Sequence, residues 1–386
     1  MEEWKEYKLE EVCSRLRSGK GIKSDCISNT GLFPVIGGNG MRGYTNKSNF
    51  KGECAVIGRQ GANCGNVRFF MGEAYMTEHA VVAVGNELAD SYFLARLLSL
   101  MHLGNLSAQS AQPGLSIQTL SKQVIRLPSI SYQREISTVL KSLDDKIELN
   151  RRINDNLEQQ AQALFKSWFV DFEPFKEGKF VDSELGRIPE GWRVERLGSV
   201  CKCLLGGTPS RNKEEYWNGK IAWINSGEIN EFRITKPSEY ITQEELKKSA
   251  TKLLPKKTTV LAITGATLGQ VSLLEIDSCA NQSVIGLLEN EDIFHEYIYP
   301  LIKNRIDDLC SHMTGGAQQH INKNNVEQLE ILVPPKKILV EYKQIATPIY
   351  SLISNICFES QKISKLRDSL LPRLMSGELK LDKINN

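Results

Sequence analysis

The stretch that decides the fold is Tyr132–Val170, YQREISTVLKSLDDKIELNRRINDNLEQQAQALFKSWFV. Apolar residues recur at Ile136, Leu140, Leu143 and Ile147, then at Leu157, Ala161, Leu164 and Trp168, and no Gly or Pro interrupts them. The spacing predicts one helix, roughly 58 Å long at 1.5 Å per residue. Few globular helices are that long, so its stripe needs a partner. Glu341–Gly377 offers one, with Ile345, Ile349, Leu352, Ile353, Ile356, Ile363, Leu366, Leu370 and Leu374 at similar spacing. Two such helices, each closing a similar half-chain, predict an antiparallel coiled coil.

The 386 residues suffice for two or three domains, and 41% apolar content is ample for real cores. No run reaches the ~18 apolar residues of a membrane span. The start, MEEWKEYKLEE, is charged and unlike a signal peptide. Nine scattered cysteines without a C-x-x-C point to reduced thiols in a cytoplasmic protein, with no disulfide framework or zinc site. The net charge of +2 gives nucleic-acid binding no bulk support, so any such surface must be local.

The chain repeats itself. Trp4, Leu9, Val12, Cys13, Leu16 and Gly19 recur as Trp192, Leu197, Val200, Cys201, Leu204 and Gly207, at an offset of 188. Val56–Val67 (VIGRQGANCGNV) matches Val260–Val271 (VLAITGATLGQV) at 204. Ala111-Gln112 and Pro128 match Ala317-Gln318 and Pro334 at 206, and so do Leu157 and Leu164 with Ile363 and Leu370. Order kept over four blocks means duplicated domains. Each globular half reads as strand-rich. The first has runs at Val35–Ile36, Glu53–Ile57, Val67–Phe70 and Ala80–Val84; the second has Ile221–Ile224, Thr258–Ile263, Val271–Leu274 and Val284–Leu288. A helix is expected near Ser91–Met101 and near Ile293–Asp308. Asp171–Gly191, rich in charge, Pro and Gly, reads as a linker.

Gly38-x-Gly40-x-x-Gly43 fits the dinucleotide fingerprint in letters only. That motif needs a helix opening at its third Gly, and Tyr44-Thr-Asn-Lys-Ser-Asn continues polar and turn-like. No P-loop pattern occurs. Asp171, Glu177 and Lys179 resemble a nuclease acid cluster but have no strand to hold a metal. The five histidines (His79, His102, His295, His312, His320) lack ligand spacing, so no metal is expected. Polar loops remain. Between Gly37 and Arg68 stand five bases and one acid, interleaved with Asn and Gln. Lys and Arg suit phosphates, Arg suits guanine, and Asn or Gln suits adenine. The DNA-binding candidates there are Asn39, Arg42, Lys47, Arg59, Gln60, Asn63, Arg68 and Gln112. In the second copy they are Arg211, Lys213, Asn225, Ser226, Thr264, Thr267, Gln270, Gln318, Gln319 and Lys323.

Several segments resemble the specificity subunits of type I restriction-modification systems. They are Ser183–Trp192 (SELGRIPEGW), Gly206–Ser210 (GGTPS), Thr264–Gly269 (TGATLG), the Pro128–Ile136 helix entry and Leu370–Leu379 (LLPRLMSGEL). The resemblance spans nearly the whole chain. It implies an α+β fold: two similar α/β target recognition domains separated by two long antiparallel coiled-coil helices, with a pseudo-twofold internal repeat. On this sequence the parts become a recognition domain at 1–130, a helical region at 131–170, a linker at 171–190, a second recognition domain at 191–335 and a second helical region at 336–386. The resemblance implies a non-catalytic subunit in which each domain reads half of a bipartite double-stranded DNA site. The helices would set the spacer and dock two modification (methyltransferase) subunits, with restriction subunits joining. No cofactor is expected in this subunit; S-adenosylmethionine is expected on the modification subunits. One departure stands out. Pro334-Pro335-Lys336-Lys337 replaces Pro128-Ser129-Ile130-Ser131, so the second helix entry is expected to be set differently. The competing reading is a self-contained S-adenosylmethionine-dependent DNA methyltransferase using the Gly38–Gly43 loop. Against it, no Asn-Pro-Pro-Tyr/Phe motif is present.

Overall fold

The computed structural model describes residues 3–107, 114–311 and 320–381. Contacts divide the chain into two compact units, one of 1–147 with 363–386, the other of 148–362. Two 40-residue helices, Ile130–Phe169 and Lys336–Met375, each contribute to both units.

In the first unit a six-stranded sheet runs in the order Cys13–Ser18, Ala80–Gly85, Phe50–Gly58, Val67–Met76, Phe33–Gly37, Gly40–Thr45. Its pairings are antiparallel except Phe33–Gly37 with Val67–Met76. Helix Ser91–Leu100 starts at Asp90, whose carboxylate accepts from Phe93 N at 2.8 Å. That helix buries Phe93, Leu94 and Leu98 with Ala55, Ile57, Val81 and Ala83 of the sheet. The second unit divides the same plan into two four-stranded sheets. The counterpart of the long strand Val67–Met76 is broken into Val271–Leu273 and Ser278–Ala280. Between them Glu275 leaves the ladder; its carboxylate accepts from Lys257 and from Ser354 of the second long helix.

The duplication extends to hydrogen bonding. Lys5–Lys8 pairs with Val124–Leu127 in the register in which Arg193–Arg196 pairs with Glu330–Val333. One offset shifts. Ser18 faces Val81 whereas Leu205 faces Ile285, so beyond Ser14 the copies are 187 apart, and Gly19 corresponds to Gly206 rather than Gly207. The cause is a bulge between Cys13 and Arg15, where the Ser14 hydroxyl bonds the Val84 and Gly85 carbonyls.

The long helices run antiparallel within each unit. Asp144 Oδ1 accepts from Arg367 Nη1 at 2.8 Å, and Ile136 and Leu140 share a core with Leu374 and Met375. In the second unit Asn150 Nδ2 donates to Glu359 at 2.7 Å and Ser360 at 3.1 Å, and the Trp168 ring lies 5.7 Å from that of Tyr342. The buried stripe differs from the expected one. Asn150, Asn154 and Glu158 are buried at its middle, while Ile345, Leu352 and Leu366 are 46–49% exposed. Leu339, Tyr342, Ala346, Tyr350 and Ile353 face inward instead. A buried polar layer admits one register where a purely apolar one slides. Both long helices begin at matching positions, Ile130 and Lys336, so the start is kept, but the Ser129 hydroxyl that accepts from Tyr132 N at 3.4 Å has no counterpart in Pro335.

Asp171–Gly191 is more than a linker. Phe180–Ser183 and Gly186–Pro189 form a hairpin, and Gly186 takes φ +95° at its turn. Phe172, Phe175 and Ile188 pack with Trp192 in the second unit's core. The expected helix near Ile293–Asp308 is two pieces, His295–Asn304 and Ile306–Ser311. No described helix is long and apolar enough to cross a membrane. All nine cysteines are unpaired.

Candidate nucleic-acid interface

Each unit builds the same turn at one end of its main sheet. In the first, Gly58 N donates to Asn66 O at 2.8 Å and Gly65 N to Gly58 O at 2.8 Å. In the second, Ala262 N donates to Gln270 O and Gly269 N to Ala262 O, both at 2.9 Å. Gly61 and Gly65 take φ +75° and +84°; Gly265 and Gly269 take +75° and +83°. These are left-handed values that favour glycine. A segment from further along the chain locks each turn: Leu115 N to Arg59 O at 2.9 Å, and Ile321 N to Ile263 O at 3.0 Å.

The side chains on this shared frame differ. Arg59 is half-buried; its guanidinium donates to Leu115 O at 3.2 Å and Ser18 Oγ at 3.4 Å. Its counterpart Ile263 is buried in the core. Gln60 and Thr264 open the two turns, Gln60 exposed and Thr264 half-buried. Asn63 is spent internally, accepting from Asn66 Nδ2 at 2.9 Å, and Thr267 in its place is buried. Gln270 is exposed.

Around the first turn, Asn39, Arg42 and Arg68 are exposed. A side chain at Gly40 would strike the Arg68 guanidinium, and one at Gly37 would come within 3.0 Å of Arg42 Cδ. Gly38 lies against Gly58 and Arg59 N. The Arg42 and Arg68 side chains therefore meet at the Gly37–Gly40 turn beside the Arg59 backbone, and among the described residues no carboxylate pairs with any of the three. His79 joins them: its carbonyl accepts from Arg59 N at 3.0 Å, and its ring lies 3.2 Å from Glu78. Sequence reading missed Ser18 and Leu115, which hold Arg59 from strands and loops far away in the chain. Lys47 is exposed in a separate turn, beside Asn49, whose side chain is bonded to Met76.

In the second unit Arg211 stacks over the Trp217 ring, 3.7 Å from its centroid, and meets Glu239 through both nitrogens at 2.9 and 2.7 Å. Those bonds hold the Glu239 carboxyl below the usual carboxylate range. Trp223 lies edge-on to Trp217. Lys213 Nζ donates to Tyr216 OH at 3.0 Å. Asn225 and Ser226 correspond to Gly37 and Gly38, but Asn225 caps a short helix through Gly227 N at 2.7 Å and is not free to read a base. Lys323 pairs with Glu327 at 3.0 Å. Gln112, Gln318 and Gln319 lie outside the described residues.

The Gly38–Gly43 stretch runs from one strand into the next, so no helix opens at its third glycine. Comparison with known proteins then decides the family. A family model described as type I restriction modification DNA specificity domain matches residues 1–159 and 189–368, one stretch for each copy. The chain belongs to that family. It is a DNA specificity subunit, a non-catalytic part of a type I restriction-modification complex that binds DNA. The MjaIX specificity subunit of Methanocaldococcus jannaschii is 30% identical over 290 residues, 73% of this chain and 67% of that one. The HindI specificity subunit of Haemophilus influenzae is 26% identical over 330 residues, 69% and 71% of the two chains. The crystal structure of an S subunit from M. genitalium shares the fold of this specificity subunit, with a TM-score of 0.64 at 15% identity over 97% and 96% of the chains.

Proposed function

We propose that each globular unit carries one target recognition domain and reads one half of a bipartite double-stranded DNA site. The observation that carries this reading is the repeated turn. Gly58–Asn66 and Ala262–Gln270 have the same backbone bonds and glycine conformations but carry different side chains, with Arg59 against Ile263 and Arg68 against Ser272. Two readers of one design but unlike chemistry suit two unlike half-sites. In the first unit Arg42, Arg59 and Arg68 hold phosphate or guanine, with Asn39 and Gln60 beside them. In the second, Arg211, Lys213, Gln270 and Lys323 supply the polar contacts, and the first two rest on aromatic faces.

The long helices set the spacer and dock two modification subunits, which carry S-adenosylmethionine; restriction subunits join that assembly. Exposed apolar residues on these helices support docking: Leu149 at 50%, Ile345 at 48% and Leu352 at 46% exposure. Residues 1–130 and 191–335 are the portions to exchange. Replacing 1–130 by the recognition domain of another specificity subunit, then sequencing the methylome with cognate modification subunits, changes one half-site and leaves the other intact. Altered bases in both halves would overturn modular reading.

A further inference from the structure

A cluster of ionisable groups lies where strand Val284–Leu288 leads into helix His295–Asn304. Glu289 Oε2 is 2.7 Å from His295 Nδ1, and Glu296 Oε2 is 3.4 Å from the same nitrogen. One ligand atom from each residue falls within 4.8 Å of the other two. Glu296 is 1% exposed, and among the described residues its Oε2 has no hydrogen-bond partner. Its other oxygen accepts from the Thr347 hydroxyl at 2.6 Å, and its backbone carbonyl from Tyr342 OH at 3.2 Å. The carboxylate is thus held from behind with its free oxygen toward the imidazole. A buried acceptor without a donor costs on the order of 1–3 kcal/mol.

The duplication shows that the scaffold requires neither the His295 ring nor the Glu296 carboxylate at these places, while Glu289 Oε2 also caps the helix by accepting from His295 N at 3.1 Å. Helix Ser91–Leu100 is the counterpart of His295–Asn304, and Asp90 alone caps it. Gly85, Ser91 and Tyr92 occupy the places of Glu289, His295 and Glu296, with Gly85 N donating to Ser91 Oγ at 3.1 Å. Where the first copy has a glycine and two hydroxyls, the second has three groups converging on one point.

We propose that Glu289, His295 and Glu296 bind one zinc ion, through His295 Nδ1 and one oxygen of each glutamate. Ligands about 2.0–2.1 Å from a tetrahedral ion stand roughly 3.4 Å apart, as Glu296 and His295 already do. Glu289 opens by several tenths of an ångström, and its 37% exposed side chain permits that and leaves the fourth position to water. Imidazole with two carboxylates favours zinc over calcium or magnesium, which take oxygen alone. Two carboxylates converge on one imidazole, and a dication balances their charge; Lys343, which also acts on Glu289, lies over the Phe294 ring at 3.7 Å. Because Thr347 belongs to the second long helix, the ion fastens helix His295–Asn304 to it through Glu296. Sequence spacing pointed to no metal, since the ligands come from a strand exit and the first helical turn rather than from a motif.

The competing state of the same atoms is a protonated imidazole between two carboxylates. Full-length chain stripped by a chelator is titrated with zinc chloride and, separately, cobalt chloride. The wild type takes up one more ion per chain than His295→Asn. The cobalt spectrum of that extra ion lacks the thiolate charge-transfer band that the nine cysteines would give. Glu296→Gln weakens zinc binding at least 100-fold, and Thr347→Ala weakens it by about 10–100-fold, as expected for an outer-shell partner. Metal-free melting curves establish that each variant folds; Glu296→Gln keeps the oxygen that accepts from Thr347 and carries the comparison if His295→Asn does not fold. Equal uptake by wild type, His295→Asn and Glu296→Gln overturns the site, as does a zinc-induced rise in melting temperature that is the same for these three proteins.

Discussion

Replacing Glu158 with Gln tests the polar contact between the second globular half and the first long helix. Glu158 is 8% exposed and accepts from Arg233 at 2.8 Å, Lys303 at 2.9 Å and Tyr299 OH at 3.0 Å. The Arg233 side chain is fully buried. Burial alone would raise the Glu158 carboxyl, but the charges of Arg233 and Lys303 outweigh it and hold the group at about 2 instead of 4.5. At 1.36 kcal/mol per pH unit the gap is worth roughly 3 kcal/mol. A second route gives the same size: breaking a buried pair from one side costs about 3–5 kcal/mol. After the change the remaining carboxylate near Arg233, among the described residues, is Glu275, 4.0 Å away. The sign follows from the lowered folded value. The contribution is complete above the unfolded value near 4.5 and fades as pH falls toward 2, so by pH 3 roughly 2 of those 3 kcal/mol are gone. Urea unfolding followed by tryptophan fluorescence measures it, because Trp168, Trp192, Trp217 and Trp223 all lie in the 148–362 unit. Glu158→Gln loses about 3 kcal/mol at pH 7 and about 1 at pH 3, and adding Arg233→Met restores much of the loss. A loss under 1 kcal/mol at pH 7, or one that stays the same at pH 3, refutes the reasoning.

Arg59→Ala relaxes one base position of the first half-site and costs ~1–3 kcal/mol of DNA affinity. Uniform weakening on all sequences with a shallower salt dependence reassigns Arg59 to phosphate, and unchanged binding removes it from the interface. Deleting Asn150–Asn156 together with Ile356–Lys362 takes seven residues from each long helix, about 10 Å at 1.5 Å per residue. Methylome sequencing then shows the same half-sites with a spacer shorter by about three base pairs, or no methylation where the heads fail to follow the turned half-site. Efficient methylation at the original spacing shows that the helices are not the ruler.

Helices and the duplication were legible in the sequence because both are local or self-referential. A 3.6-residue period needs only neighbours three and four apart, and a repeat needs only the chain compared with itself. The strand runs at Glu53–Ile57, Val67–Phe70 and Ala80–Val84 all lie inside observed strands for the same reason. The matched turns showed because glycines at Gly61, Gly65, Gly265 and Gly269 answer a backbone need that few other residues meet.

What depended on pairing across long stretches of chain was not legible. The Ser14 bulge shifts one offset by a residue, and only the ladder to Ala80–Gly85 exposes it. The hairpin of Asp171–Gly191 has little periodicity and is ordered by aromatic packing on Trp192. Asn63 and Asn225 looked free as letters and bond Asn66 and Gly227, whereas Arg42 and Arg68 were scattered letters whose side chains folding brings to one turn beside the Arg59 backbone. By itself the sequence determined how many units there are, which segments are long helices and which loops are polar, since residue type and spacing carry that information. Only the tertiary structure decided which polar groups face solvent and which bond one another, because a hydrogen bond or a ligand set is settled by where distant residues meet.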